Sequence, residues 1–201
     1  QDAQRPELEA IASLNPGKTV RQTIWDVLVT NKKGVRHELP EGKKLEQVLR
    51  SWGVNDNSKI IISYQDGNAI PMAARLFYTL DYAGLGDQVS LLSGGFTAWK
   101  EEGRPVTQSD PDQKEGNITI RTREELRISR EEVLACLDEP DVIIIDARPV
   151  ERYYGTVEDN NSERQGHIPG AINIPFFEVT REDSTHFFKS AQELQRLFED
   201  Q

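Results

Sequence analysis

Residues 59–92 read KIIISYQDGNAIPMAARLFYTLDYAGLGDQVSLL and contain the clearest α/β pattern of the chain. Residues 59–64 are a continuous apolar run of strand length, which is typical of a strand covered on both faces. A loop follows, then a helix predicted over 72–82 and a second strand predicted over 88–92. Two strands joined through a helix by short connections favour a parallel sheet in an α/β fold.

The neighbouring segments extend this arrangement in both directions. Upstream, the apolar side chains of Leu45, Val48, Leu49 and Trp52 recur at helical spacing. Downstream, the pattern predicts a short helix over 96–102. We assign these segments to a first domain.

A polar, aperiodic stretch separates the first domain from a second one. The predicted bounds are 1–106 for the first domain, 107–120 for a linker and 121–201 for the second domain. This division rests on the restart of the α/β pattern after the polar stretch.

The second domain begins with the pattern of a capped helix. Ser129 and Glu132 have the spacing of a capping box. Residues 141–147 (DVIIIDA) predict a further buried parallel strand, and residues 190–198 predict a helix.

An internal repeat links the two domains. Residues 39–49 (LPEGKKLEQVL) and 188–198 (FKSAQELQRLF) align without gaps, and Pro16-Gly17 matches Pro169-Gly170 in the same order. Together these matches indicate a duplicated domain. Each unit lacks elements that the other has, so we expect the chain to be an internal piece of a longer protein. We also expect the second unit to be poorly stable as it stands.

Composition narrows the possible functions. The 201 residues include 24 Lys+Arg and 34 Asp+Glu, for a net charge of −10, which disfavours nucleic acid as a partner. No apolar run has membrane-spanning length. The one cysteine, Cys136, excludes an internal disulfide framework and a thiolate metal cluster. We expect no cofactor and no metal, because neither a phosphate-binding glycine loop nor a ligand cluster is present.

Three segments carry a family resemblance. Residues 91–106 (LLSGGFTAWKEEGRPV) resemble the closing signature of tandem rhodaneses, the thiosulfate/3-mercaptopyruvate sulfurtransferase family, with Ser93 where Asp is usual. Residues 145–155 (IDARPVERYYG) and 166–176 (GHIPGAINIPF) are similar to two further motifs of that family. The resemblance covers about residues 34–201.

The resemblance implies an α/β fold with two rhodanese-like domains, each a parallel sheet with helices on both faces and both incomplete in this chain. It also implies a sulfurtransferase that moves sulfane sulfur from thiosulfate or 3-mercaptopyruvate to a thiophilic acceptor through a cysteine persulfide. The partners implied are a small anionic sulfur donor and that acceptor. Such chemistry needs a reactive thiolate and a cradle for anions.

The reactive cysteine of tandem rhodaneses lies only in their C-terminal domain. The equivalent loop of the first domain, residues 65–71, contains no cysteine, which fits a catalytically silent domain. Adding the offset of the repeat places the reactive cysteine at about position 214. We therefore name no catalytic residue in this chain and expect the chain alone to be inactive. Cys136 is interpreted as a semi-buried core residue.

Three residues are the candidates for substrate binding. The resemblance implies that Arg152, in the RYxG motif, binds the anionic oxygens of the donor; the alternative is a loop arginine paired with Glu151 or Asp146. Asp146 and Arg148 lie at the carboxyl end of a predicted parallel strand, where α/β sheets place their sites. These two either bind substrate or form a structural ion pair.

Three other polar residues, His167, Arg75 and Asp66, each allow two interpretations. His167 is either an acid or base, or a residue that bridges loop backbone. Arg75 and Asp66 border the loop of the first domain and either bind an anion there or are solvated. Besides a sulfurtransferase, the pattern allows a non-catalytic rhodanese-like binding or regulatory module, or a phosphatase of the related fold.

Overall fold

A computed structural model describes residues 30–32, 35–65, 69–108, 114–158, 164–181 and 187–199. The chain divides into two compact units, residues 1–126 and 127–201. A parallel strand pair is present in each unit. The predicted α/β class is thereby confirmed.

The first unit contains an antiparallel hairpin, a parallel strand pair and α-helices. In chain order its elements are β1 (Thr30–Lys32), β2 (Val35–Glu38), α1 (Gly42–Ser51), β3 (Ile60–Ile62), α2 (Ile70–Leu80), β4 (Val89–Leu91) and α3 (Gly95–Glu101). β3 and β4 run parallel, with Ile60 opposite Val89 and Ile62 opposite Leu91. The strand–helix–strand unit predicted from residues 59–92 is therefore confirmed.

Helix α2 supplies much of the core of this unit. Its buried side chains include Ala73, Leu76 and Leu80, each at most 2 % exposed, and they recur every three or four residues. Pro71 stands in the first turn, where its missing N–H removes no helical hydrogen bond. Ile62 of β3 is fully buried as well. The apolar face of α2 thus fixes the position of the parallel strands.

Gly84 ends the turn that follows α2. Its φ of +86° lies in the left-handed region, and a Cβ there would stand 2.6 Å from the backbone oxygen of Arg121. Glycine is required for both reasons. The chain can therefore turn directly from α2 towards β4.

Part of the predicted linker packs on the first unit. Ile118 is 1 % exposed, and its N–H donates to the oxygen of Val54 at 3.1 Å. The N–H of Gly116 donates to the oxygen of Arg50 at 2.8 Å. Because these donors pair with backbone around the end of α1, the described residues 114–120 are not a solvated spacer. The compact units divide after Leu126, later than the polar stretch.

The second unit is built from short elements. They are α4 (Arg130–Ala135), β5 (Ile145–Asp146), α5 (Val150–Tyr153), β6 (Ile172–Asn173) and α6 (Ala191–Glu199). β5 and β6 run parallel, with Ile145 opposite Ile172 and Asp146 opposite Asn173. The predicted capping box of α4 is confirmed, because Ser129 and Glu132 exchange side-chain to backbone hydrogen bonds.

The predicted buried strand over 141–147 is wrong in length and burial. Only Ile145–Asp146 is a strand, and Val142, Ile143 and Ile145 are 43 %, 73 % and 46 % exposed. In the described part of the chain, β6 alone pairs with β5. An apolar run becomes a long buried strand only when neighbours cover it, and the described residues supply one neighbour.

The two helices of the internal repeat have different surroundings. Leu49 of α1 is 1 % exposed, whereas its counterpart Phe198 of α6 is 48 % exposed. The same apolar spacing thus produces a buried face in one unit and a partly solvated face in the other. The Pro16-Gly17 match and Asp66 lie outside the described residues. Among the helices that the structure describes, none has the length and apolarity of a bilayer span.

Candidate functional site

An open cavity of about 700 Å³ lies at the carboxyl end of β5. Its lining comes from two segments of the second unit, residues 144–148 and 164–171. Asp146, Arg148, Arg164 and His167 are the ionisable residues of this lining. The end of β5 and the loop that precedes β6 therefore bring charged side chains together.

Asp146 and Arg148 form a bidentate ion pair in this cavity. The guanidinium Nη2 lies 2.6 Å from Oδ2 of Asp146, and Nε lies 3.0 Å from Oδ1. The backbone N–H of Arg148 also donates to Oδ1, at 2.9 Å. These hydrogen bonds from Arg148 hold the pKa of Asp146 below its usual value, although partial burial acts in the opposite direction. The structural ion pair considered from the sequence is therefore present.

Arg148 also reaches across the cavity. Its Nη2 donates to the backbone oxygen of Gly166 at 2.7 Å. One guanidinium thus connects the end of β5 with the 164–171 loop. Whether Asp146 and Arg148 also bind substrate stays a prediction.

Asn173 fixes the backbone from which Arg148 projects, a role that the sequence reasoning did not assign. Its Nδ2 donates to the backbone oxygen of Asp146 at 2.8 Å and to that of Arg148 at 2.9 Å. Both amide hydrogens are thereby used, on two backbone oxygens that lie two residues apart at the end of β5. Asn173 stands in the 166–176 motif, but its place opposite Asp146 becomes visible only in the structure.

Arg164 was also missed by the sequence reasoning. No periodicity or motif marks it in the sequence. The structure places it in the lining of the same cavity as Arg148. Two guanidinium groups at one cavity are suited to a small anion, since guanidinium binds oxyanions and stays protonated.

Arg152 lies on α5, outside the residues that line the cavity. Helix α5 begins after Pro149, whose oxygen accepts from the N–H of Arg152 at 2.9 Å. The side chain of Arg152 is exposed. Its role in donor binding stays a prediction.

His167 stacks on Tyr153 of α5. The two ring centroids are 3.7 Å apart with an angle of 10° between the planes, and Nδ1 of His167 lies 2.8 Å from the backbone oxygen of Tyr153. The Tyr153 hydroxyl donates to the oxygen of Ala171 at 2.8 Å. The geometry therefore supports the interpretation of His167 as a residue that bridges loop backbone.

Cys136 is not among the residues that line the cavity. It caps the end of α4, and its Sγ donates to the oxygen of Val133 at 3.3 Å. This position fits the predicted semi-buried packing residue. In the described ranges, no group of three or more His, Cys, Asp or Glu side chains could hold a metal ion.

In the first unit, the candidate anion-binding residue beside the loop at residues 65–71 is Arg75. Arg75 of α2 is partly buried, and this burial lowers the pKa of its guanidinium. Residues 66–68 of the adjacent loop lie outside the described ranges. Anion binding at this loop stays a prediction.

Comparisons with known proteins identify the domain family of the chain. A model of the rhodanese-like domain matches residues 23–102 and 129–201. The 3-mercaptopyruvate sulfurtransferase of Escherichia coli K12 is 31 % identical over 163 residues, which is 81 % of this chain and 56 % of that protein. The sulfur carrier protein TtuD of Thermus thermophilus is 32 % identical over 189 residues, covering 89 % of this chain and 62 % of that protein.

A solved structure shares the fold. SseA from Escherichia coli, described as a 3-mercaptopyruvate sulfotransferase with the rhodanese fold, superposes with a TM-score of 0.74 at 28 % identity. The match covers 88 % of this chain and 64 % of that one. The chain thus spans little more than half the length of the curated relatives described above. Because both units match the same domain model and the fold agrees, the chain belongs to the rhodanese-like domain family.

Proposed function

We propose that the protein is a sulfurtransferase that moves sulfane sulfur from thiosulfate or 3-mercaptopyruvate to a thiophilic acceptor. The observation that carries this proposal is the open cavity at the end of β5, which has Arg148 and Arg164 in its lining. Both donors are small anions, which guanidinium groups bind. Because Arg148 is paired with Asp146, we assign the anionic end of the donor to Arg152 on helix α5, which contacts the loop of the cavity through His167. Relatives with sulfur-transfer names support the choice of reaction.

The proposed reaction has two steps. A cysteine thiolate attacks the outer sulfur of thiosulfate, the sulfur–sulfur bond breaks, and sulfite leaves with the bonding electrons. With 3-mercaptopyruvate, the carbon–sulfur bond breaks instead, and the proton of the donor's thiol ends on the pyruvate that leaves. An acceptor such as cyanide then attacks the outer sulfur of the persulfide and regenerates the thiolate.

We assign the nucleophile to the cysteine that the offset of the repeat places at about position 214. Cys136 is not assigned this role, because its Sγ is hydrogen-bonded at the end of α4 and it does not line the cavity. The 201-residue chain alone is therefore expected to bind the donor without transferring sulfur.

The arginines have separate proposed roles. Arg152 binds the anionic end of the donor, as the family resemblance implies. Arg148 connects the end of β5 with the 164–171 loop, and Asp146 holds it in place through the bidentate ion pair. The overall charge of −10 makes such a local cluster necessary for anion binding.

The test uses the protein at the full length of its gene. It is incubated with cyanide and either thiosulfate or 3-mercaptopyruvate, and thiocyanate is measured. We expect thiocyanate with at least one donor, and the faster donor identifies the substrate. A folded protein that forms no thiocyanate with either donor would contradict the proposal.

A second candidate function is a non-catalytic binding or regulatory module. It is favoured by the position of Cys136, the single cysteine of the sequence, which lies outside the cavity lining. A fold of this kind can bind anions without performing chemistry. Saturable thiosulfate binding without thiocyanate formation by the full-length protein would support this function.

A further inference from the structure

We propose that His167 is a positioning residue that holds helix α5, and with it Arg152, against the loop that lines the cavity. This inference rests on the proposed function for the role of Arg152. Its geometric part concerns contacts within the second unit and can be tested without any sulfur transfer.

The hydrogen bond identifies a ring nitrogen of His167 that carries a hydrogen. Nδ1 of His167 lies 2.8 Å from the backbone oxygen of Tyr153. A carbonyl oxygen only accepts hydrogen bonds, so Nδ1 must carry the hydrogen. In the neutral ring the other nitrogen, Nε2, is then unprotonated.

Two further contacts join the same segments. The rings of His167 and Tyr153 stack at 3.7 Å, and the Tyr153 hydroxyl donates to the oxygen of Ala171 at 2.8 Å. Tyr153 therefore contacts the loop before β6 at His167 and at Ala171. Arg148 contacts the same loop at Gly166. The loop is tied both to the end of β5 and to α5.

Helix α5 needs such external contacts. It has four residues, from Val150 to Tyr153, and a helix of that length does not persist on its own. Arg152 directly precedes Tyr153, the residue that accepts the hydrogen bond from His167. The backbone position of Arg152 therefore depends on contacts outside the helix, and those of His167 with Tyr153 are among them.

The first test reads the tautomer directly. Long-range ¹⁵N–¹H spectra of the ¹⁵N-histidine-labelled full-length protein are recorded at neutral pH, with the His167→Asn spectrum used for assignment. We expect the hydrogen of His167 on Nδ1. A hydrogen on Nε2 would overturn the proposal.

The second test uses two matched substitutions. His167→Asn keeps an N–H donor where Nδ1 stands, whereas His167→Gln moves its amide to the region of Nε2; both lose the ring. We expect the dissociation constant for thiosulfate to be roughly fivefold higher in His167→Gln than in His167→Asn, the ratio expected for one hydrogen bond. Equal constants in the two variants, with equal unfolding midpoints, would contradict the positioning role.

A third readout separates this inference from the proposed function. The N–H groups of Tyr154 and Thr156 donate to the oxygens of Val150 and Glu151 within α5 and its end. Their hydrogen exchange should be roughly fivefold faster in His167→Gln than in His167→Asn, while the Leu194 amide of α6 is unchanged. If thiosulfate does not bind at all, the cavity proposal fails and this exchange difference still decides the role of His167.

Discussion

Arg148 and Asp146 lie two residues apart and form a bidentate ion pair, with Nη2 2.6 Å from Oδ2 and Nε 3.0 Å from Oδ1. The Asp146 side chain is 12 % exposed and that of Arg148 is 38 % exposed. The carboxylate is thus mostly withdrawn from water while the guanidinium stays accessible from the cavity. This relationship orients the guanidinium at the end of β5 and balances its charge, and the lowered pKa of Asp146 makes the pair sensitive to acid.

Asp146→Asn should remove this sensitivity. The folded-state pKa of Asp146 is lowered, so its contribution to stability is complete above the unfolded value of 3.8 and is lost as the pH falls through the folded value. We expect the substitution to reduce the free energy of unfolding by about 1 kcal/mol at neutral pH, since solvent screens the half-exposed guanidinium.

Urea unfolding at about pH 7 and about pH 3 checks this expectation. The difference between the native protein and Asp146→Asn should shrink at the lower pH. A difference that is the same at both pH values would show that the ion pair does not contribute through its charge.

Asn173 provides a second test of how the site is held. Asn173→Ala removes two hydrogen bonds to the backbone oxygens of Asp146 and Arg148, and should lower the free energy of unfolding by about 2 kcal/mol. Asn173→Asp places a carboxylate against the same oxygens and should be more destabilising at neutral pH. Its unfolding free energy should approach that of Asn173→Ala in acid, where the carboxyl is protonated; a pH-independent gap would refute this account of Asn173.

Two glycines of the first unit form a matched pair. Both have positive φ, +86° at Gly84 and +67° at Gly103, but a Cβ at Gly84 meets the Arg121 oxygen at 2.6 Å whereas a Cβ at Gly103 meets nothing within 4 Å. Gly103→Ala should cost about 1 kcal/mol for the backbone conformation alone. Gly84→Ala should cost about 3 kcal/mol or more, because the clash adds to it.

Thermal unfolding of the two glycine variants measures this difference. The expected outcome is a clearly lower midpoint for Gly84→Ala. Equal midpoints would mean that the segment carrying Arg121 does not pack against the turn after α2.

Arg152 is tested through the KM for the sulfur donor. Arg152→Gln keeps a polar side chain but removes the charge, so we expect the KM for thiosulfate or 3-mercaptopyruvate to rise about tenfold in the full-length protein. Arg196→Gln, at an exposed position in the last turn of α6, is the control and should leave the KM unchanged. Similar KM values for both variants would remove Arg152 from the donor site.

The elements that the sequence predicts well are those with a strong local pattern. The 59–64 run, the helix that contains Ala73 and Leu76, and the Ser129 capping box all appear, because burial and capping there follow from residues near in sequence. The 141–147 strand fails because its burial depends on neighbours that a local pattern does not contain.

The candidate site is predictable only in part. Asp146 and Arg148 could be found from the end of a parallel strand and a recognisable motif. Helix α5 and the His167 stack could not, because a four-residue helix in a polar stretch is held by contacts with a loop more than ten residues away. Arg164 shares the cavity with Arg148 without any local pattern that marks it.

The most direct test of sulfur transfer is the intact mass of the full-length protein after incubation with each donor, followed by peptide mapping. We expect a gain of one sulfur atom as a persulfide on a cysteine other than Cys136, and its loss when cyanide is added. Cys136→Ser should gain the same sulfur. A persulfide confined to Cys136, or no gain with either donor, would contradict the account.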